Sequence, residues 1–155
     1  MNYTTVGNTG IKVSELCFGA MSFGGDADEK TSQALFDRVT DAGINFFDTA
    51  DMYVNGESER ILGKLIAGKR NQYVLSSKVY FPASEDAGLN DSGLSRRHIM
   101  QGIEGSLRRL NTDYLDFYIL HYFDSTTAIE ETLRALVDRA PILGRIATLL
   151  FEPLL

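Results

Sequence analysis

One pattern constrains this chain more than any other: a short apolar run, a stop, then a segment with helical spacing, repeated four times. "ELCFGAM" precedes "DADEKTSQALFDRVTDAG", and "INFFD" precedes "ESERILGKLIAG". "YVLSSK" then precedes "LSRRHIMQGIEGSLRRLN", and "YLDFYILH" precedes "TAIEETLRALVDRAP". Strands this short and this apolar are covered on both faces, and strand–helix alternation implies parallel pairing. The helix signals agree. Asp26 with Glu29, and Thr127 with Glu130, have the spacing of a capping box, and Ser95 is placed to cap the third helix. Leu35, Val39 and Ala42 share a face of the first helix, and Ile61, Leu62, Leu65 and Ile66 supply the second. Ile99, Ile103, Leu107 and Leu110 form the stripe of the third. Gly43 and Gly68 stand where helices stop, and Pro141 breaks the fourth. Ahead of all this, "YTTVGNTGIKV" reads as a hairpin over residues 3–13 that turns at Gly7-Asn8-Thr9-Gly10.

Four such units fit two arrangements, an open doubly wound sheet or part of a (β/α)8 barrel. The dinucleotide fingerprint G-x-G-x-x-G does not follow the first strand, because "GAMSFGG" has the wrong spacing; this weakens the open sheet without excluding it. One connection is long. Residues 80–94 contain Pro82, the acids Glu85, Asp86 and Asp91, and Gly88 and Gly93, and a loop of that length inside a compact domain is often functional.

With 155 residues and a formal net charge of -6, the chain has a surface that repels a polyanion, which argues against nucleic-acid binding. Arg96-Arg97 and Arg108-Arg109 read as exposed helix positions rather than a basic patch. The single cysteine, Cys17, has no disulfide or zinc partner, so it reads as buried packing and no metal site is expected. No apolar run approaches the ~18 residues of a membrane span. The polar N-terminus lacks the pattern of a signal peptide, and the reading is a cytoplasmic protein.

Chemistry-bearing residues gather at the strand ends. Asp48 closes the second strand, Lys78 the third and His121 the fourth, while Tyr53 lies just past Asp48. In a parallel β/α array these ends share one face, where barrels carry their active sites. Each residue has a plainer reading: Asp48 as a turn cap, Tyr53 as packing, Lys78 as a solvated charge, His121 as a core histidine. His98, among arginines on a helix, reads as solvated, and Asp51 and Asp124 as turn residues. Taken together, Asp48, Tyr53, Lys78 and His121 are equipment for protonating a carbonyl oxygen. A phenol has a reference pKa of ~10, and an adjacent ammonium eases release of its proton. A carboxylate positions that ammonium, and an imidazole can hydrogen-bond and polarise the carbonyl.

The blocks that carry these residues resemble the aldo-keto reductase family. They are "GNTGIKVSELCFGAMSFGG", "GINFFDTADMYVNGESERILGKLI", "VLSSKV" and "YLDFYILHYFD" with "AIEETLRAL". The resemblance implies an α/β fold: the N-terminal half of a (β/α)8 TIM barrel, about four β/α units, with the hairpin closing the bottom. It implies reduction of aldehydes or ketones with NADPH or, in some members, NADH. In the family a tetrad does this work, and Asp48, Tyr53, Lys78 and His121 match it. Tyr53 would give the proton, Lys78 would assist it, Asp48 would pair with Lys78, and His121 would orient the carbonyl. Gly19, Ala20, Met21, Ser22 and Asp48 match positions near the nicotinamide.

A whole barrel takes ~250 residues, so the expectation is a truncated reductase. Residues 1–138 would be the half-barrel and 139–155 a divergent apolar tail. The loops that hold the cofactor phosphates in the family belong to the other half, so this chain alone is expected to bind NADPH weakly. The competing expectation is a non-catalytic half-barrel that self-associates or binds a partner through its open sheet edge.

Overall fold

The computed structural model describes residues 1–139; Arg139, the first residue of the expected tail, still belongs to a helix, and the rest of that tail, with Pro141 and the stretch from Ile142 onward, lies outside them. The chain opens with an antiparallel hairpin, β1 (Tyr3–Thr5) and β2 (Lys12–Ser14), paired Tyr3 to Ser14 and Thr5 to Lys12. Four β/α units follow. They are β3 (Phe18–Gly19) with α1 (Glu29–Asp41), β4 (Phe46–Asp48) with α2 (Glu57–Leu65), β5 (Val74–Val79) with α3 (Arg96–Leu110), and β6 (Phe117–Leu120) with α4 (Ile129–Arg139). All the pairings among β3 to β6 are parallel, and the sheet order is β3-β4-β5-β6. This is the parallel α/β array that the alternation predicts, in the partial-barrel form that the resemblance implies. The first strand is shorter than the run "ELCFGAM" implied, only two residues long.

Side chains alternate across the sheet, and the two faces differ in kind. Phe47, Leu75, Val79, Tyr118 and Leu120 pack outward against the helices, in a core with Phe36, Leu62, Ile99, Ile103 and Leu136. On the other face Phe46, Val74 and Phe117 meet Val13 of the hairpin. The hairpin is also tied to β4: the Ser14 N–H donates to Asn45 Oδ1 at 2.7 Å, and Asn45 Nδ2 donates to the Lys12 carbonyl. That apolar layer plugs the N-terminal end of the strands. At the opposite end the same face turns polar, with Asp48, Ser76 and Lys78.

Several local expectations change. Asp28, not Asp26, caps α1, accepting from the Thr31 N–H at 2.7 Å. The buried stripe of α1 is Ser32 and Phe36, while Leu35 is exposed; the same i, i+4 spacing fits either set, and the aromatic pocket of Phe47 and Tyr73 takes Phe36. Ser95 caps α3 as expected. Thr127 donates its hydroxyl to Asp124 at 2.7 Å rather than capping α4. Asp124 is a buried clamp: it accepts from the Leu94 N–H, Thr126 and Thr127. Burial pushes its pKa upward, but these donors outweigh burial and hold it well below the usual carboxylate range.

Cys17 is exposed, not core packing, because its two-residue neighbour strand is an edge of the sheet. Arg109 is not a free helix charge: it bonds the fully buried Glu59 at 2.6 Å, and Ser77 donates to the other Glu59 oxygen. His98 is buried as well. The causes differ: α3 packs closely on α2, with Gly63 against the Leu110 carbonyl, which brings Arg109 to Glu59, whereas His98 lies beside the 80–94 loop.

Candidate active site

The polar end of the sheet is built by strand register. Asp48 ends β4 opposite Gly19 on one side and Ser76 on the other. Ser76 and Lys78 are two apart on β5 and so share a face. The consequence is a compact network. The Lys78 ammonium is 2% exposed and donates to Asp48 Oδ2 at 2.5 Å, to the Thr49 carbonyl at 3.0 Å and to the Tyr53 hydroxyl oxygen at 3.1 Å. Ser76 Oγ donates to the other Asp48 oxygen at 2.5 Å. Burial works to lower the Lys78 pKa, but the Asp48 charge and the bonds to Asp48 and Tyr53 outweigh it and hold it above the ordinary lysine value. The lysine is therefore a fixed positive charge with its three protons directed.

The chain between Asp48 and Tyr53 is a tight turn held at several points. The Thr49 N–H bonds the Ser76 carbonyl, the Asp51 N–H the Lys78 carbonyl at 3.3 Å, and the Tyr53 N–H the Ala50 carbonyl. Tyr53 opens a further turn in which Val54 and Asn55 have φ of 50° and 53°. For a β-branched valine this is an unfavourable conformation, and the strain lies immediately beside Tyr53. Strain of this kind persists where surrounding structure over-determines it, often at functional sites.

His121 follows β6, its N–H bonded to the Val79 carbonyl at 3.0 Å. Its ring stands edge-on to Tyr53, with centroids 5.8 Å apart. Phe81 packs on the other side at 5.4 Å, and Tyr80 and Tyr122 extend the aromatic wall. All four residues singled out in the sequence thus stand at one end of the sheet. Ser76 and Phe81 were missed. The alternation in "VLSSKV" places Ser76 beside Lys78 and could have found it; Phe81 carried no signal beyond following the strand.

The positions matched to the nicotinamide end lie beside Asp48. The Ala20 N–H bonds the Asp48 carbonyl, and the Ala20 carbonyl accepts from Ser58, so Ala20 fixes the loop rather than offering a side chain. Gly19 faces open space, since a Cβ there would meet nothing within 4 Å. Met21 is exposed and Ser22 half-buried. Such an open shelf next to Asp48 and Lys78 fits a flat ring. Among the described residues no group of histidine, cysteine and carboxylate side chains could hold a metal ion, and no helix is long and apolar enough to cross a membrane.

Comparison with known proteins agrees with this geometry. Residues 15–143 match the profile of the Aldo/keto reductase family. A "Probable voltage-gated potassium channel subunit beta" of Oryza sativa subsp. japonica is 43% identical over 140 residues, covering 88% of this chain and 42% of that protein. The "Uncharacterized oxidoreductase YrpG" of Bacillus subtilis is 44% identical over 144 residues, covering 87% of this chain and 44% of its own length. Among solved structures, the holo form of an aldo-keto reductase from Bacillus halodurans superposes with a TM-score of 0.80 at 35% identity, covering 91% of this chain and 47% of the other. The chain spans less than half the length of the curated relatives it matches.

Proposed function

Because this chain belongs to the aldo/keto reductase family, we infer that its polar strand end is the catalytic half of an NAD(P)H-dependent carbonyl reductase acting on aldehydes or ketones. The observation that carries this reading is the Lys78 ammonium, 3.1 Å from the Tyr53 oxygen and 2.5 Å from Asp48. When bound, the nicotinamide cofactor supplies a hydride to the carbonyl carbon. The chain's own residues do the rest. Tyr53 gives its hydroxyl proton to the carbonyl oxygen as that oxygen gains charge. Lys78, fixed by Asp48 and the Thr49 carbonyl, stabilises the phenolate left behind. Asp48 is itself held by Ser76, so the ammonium cannot swing away. His121, beside Tyr53 and backed by Phe81, hydrogen-bonds and orients the carbonyl.

The shelf of Gly19, Ala20, Met21, Ser22 and Asp48 would receive the nicotinamide. Gly19 is what keeps it open. NADPH, or NADH, would gain little from these contacts alone, because phosphates supply much of a dinucleotide's affinity. Weak binding by the 155-residue chain is therefore part of the reading, as is a cytoplasmic location for an acidic protein of this family. Tyr53→Phe is the test, made in a barrel completed with the C-terminal half of a relative. Turnover should fall by several orders of magnitude while cofactor binding, followed by NADPH fluorescence, changes little. Retention of most of the turnover would refute the assignment of Tyr53.

A second reading has its own observation. Among the described residues, β3 and β6 each pair on one side only, leaving backbone groups at both sheet edges. Exposed parallel edges are templates for another chain, and one relative is named as a channel subunit. On this reading the half-barrel acts through association with a partner or a second copy.

A further inference from the structure

Val54 stands where neither burial nor conformational preference favours a valine. It is 37% exposed, so its burial contributes little. Its φ and ψ of 50° and 45° begin a left-handed run that continues through Asn55 and Gly56, the latter at φ 83°. Asparagine and glycine accept that conformation, whereas a β-branched residue is an outlier there. A valine kept in this state implies surroundings that over-determine it, and such strain gathers at functional sites.

Two sets of contacts hold the run. The first is made by backbone. The Asn55 N–H bonds the Met52 carbonyl at 3.1 Å, and the Glu57 N–H reaches the Tyr53 and Val54 carbonyls. Arg60 donates to the Asn55 carbonyl at 3.3 Å. Gly56 lies against Arg109, where a Cβ would stand 2.6 Å from Cδ, and this fixes the entry to α2. The second contact is made by the valine side chain. A Cβ at Gly25 would stand 3.2 Å from one Val54 methyl and 3.9 Å from the other. Gly25 is not among the glycines of positive φ, so what its missing side chain provides is room for Val54. Gly25 also donates its N–H to the Ser22 carbonyl at 3.0 Å, and Ser22 ends the open shelf. The loop after β3 and the turn after Tyr53 are pressed together at one further point, where a Cβ at Gly24 would stand 2.8 Å from Glu57 Cβ.

We propose that Val54 is a positioning residue for Tyr53: its methyl groups, seated on Gly25, lock the left-handed turn that keeps the Tyr53 hydroxyl 3.1 Å from the Lys78 ammonium. Tyr53 is tied on both sides, by its N–H to the Ala50 carbonyl and by its own carbonyl to the Glu57 N–H. Rotation of Val54 out of the left-handed region breaks the second tie and lets the phenol swing. The same contact links the proton donor to the loop that carries the shelf. The effect on turnover rests on the reductase reading; the placement of Tyr53 does not.

The first test therefore needs no turnover and uses the 155-residue chain. Nuclear Overhauser cross-peaks between the Tyr53 and His121 rings, whose centroids are 5.8 Å apart, should weaken severalfold in Val54→Gly. They should persist in Val54→Ile, which keeps the branched contact with Gly25. Unchanged cross-peaks in Val54→Gly would overturn the proposal. The second test is kinetic, in a barrel completed with the C-terminal half of a relative. Val54→Gly should lower kcat by about tenfold to a hundredfold at nearly constant KM, because a misplaced proton donor is felt only in the transition state. Val54→Ile should restore it. Gly25→Ala presses on Val54 from the other side and should also lower kcat, yet add little to Val54→Gly, where its target is gone. Additive losses, or a raised KM with kcat retained, would overturn the proposal. Should Tyr53→Phe itself keep its turnover, the reductase reading fails and the ring cross-peaks alone decide the role of Val54.

Discussion

Asp51 and Tyr53 are two residues apart on one turn and serve opposite faces of the sheet. Tyr53 turns inward to Lys78, while Asp51 turns outward beside Glu59 and Arg109, held by burial with a pKa of about 7 against 3.8 for a free side chain. The sign follows from linkage. The folded state binds this proton more tightly, so stability is fully present below about pH 4 and declines as the pH rises to about 7, then stays level. A shift of this size corresponds to a few kcal/mol. Asp51→Asn should therefore be more stable than the parent near pH 8, with the difference vanishing near pH 4. Urea unfolding of both proteins across that range checks it, and two parallel stability curves would remove Asp51 as the cause. The sequence made Asp48, Tyr53, Lys78 and His121 legible because strand ends in a parallel array share a face. It hid Asp51 and His98, because a polar residue on a turn or helix looks solvated until the neighbouring element that covers it is placed.

The contact between α2 and α3 depends on one missing methyl. A Cβ at Gly63 would stand 2.6 Å from the Leu110 carbonyl oxygen, backbone that cannot rotate aside. Alanine is the better helix former by about 1 kcal/mol, yet forcing the helices apart costs roughly 1–3 kcal/mol and opens the core around Leu62 and Ile103. Gly63→Ala should therefore lower stability by about 1–2 kcal/mol, read as a drop in the urea midpoint; an unchanged or raised midpoint would show that the helices separate freely. At this scale the sequence was clear about which elements exist and less clear about their rotation. Leu35 and Phe36 offer equally good stripes, and only the aromatic partners Phe47 and Tyr73, distant in sequence, choose Phe36. The caps slipped for a similar reason: Thr127 has the right spacing, but Asp124 takes its hydroxyl.

Viewed whole, the described residues form a curved parallel sheet with helices on one face, a plug at one end and a polar site at the other. The sheet leaves β3 and β6 paired on one side only. Two such sheets can satisfy their edges by pairing with each other, so the chain should sediment as a dimer or larger species at micromolar concentration. A compact monomer in analytical ultracentrifugation would refute this. The parallel α/β sheet was legible because the strand–helix alternation is strict, and the choice of a barrel over an open sheet came from the family resemblance, whereas what meets the sheet edges depends on contacts no local pattern encodes. Strand order has a further consequence. The spatial order β3-β4-β5-β6 is also the chain order, so each strand finds its partner already laid down when the chain emerges from a ribosome. Each pairing, such as Phe18 with Phe47, still closes a whole β/α unit and is slow for that reason, but the N-terminal units can assemble before synthesis ends. The growing sheet is thus templated from its first edge, and Asp48 is in place before Lys78, which must pair with it, is made.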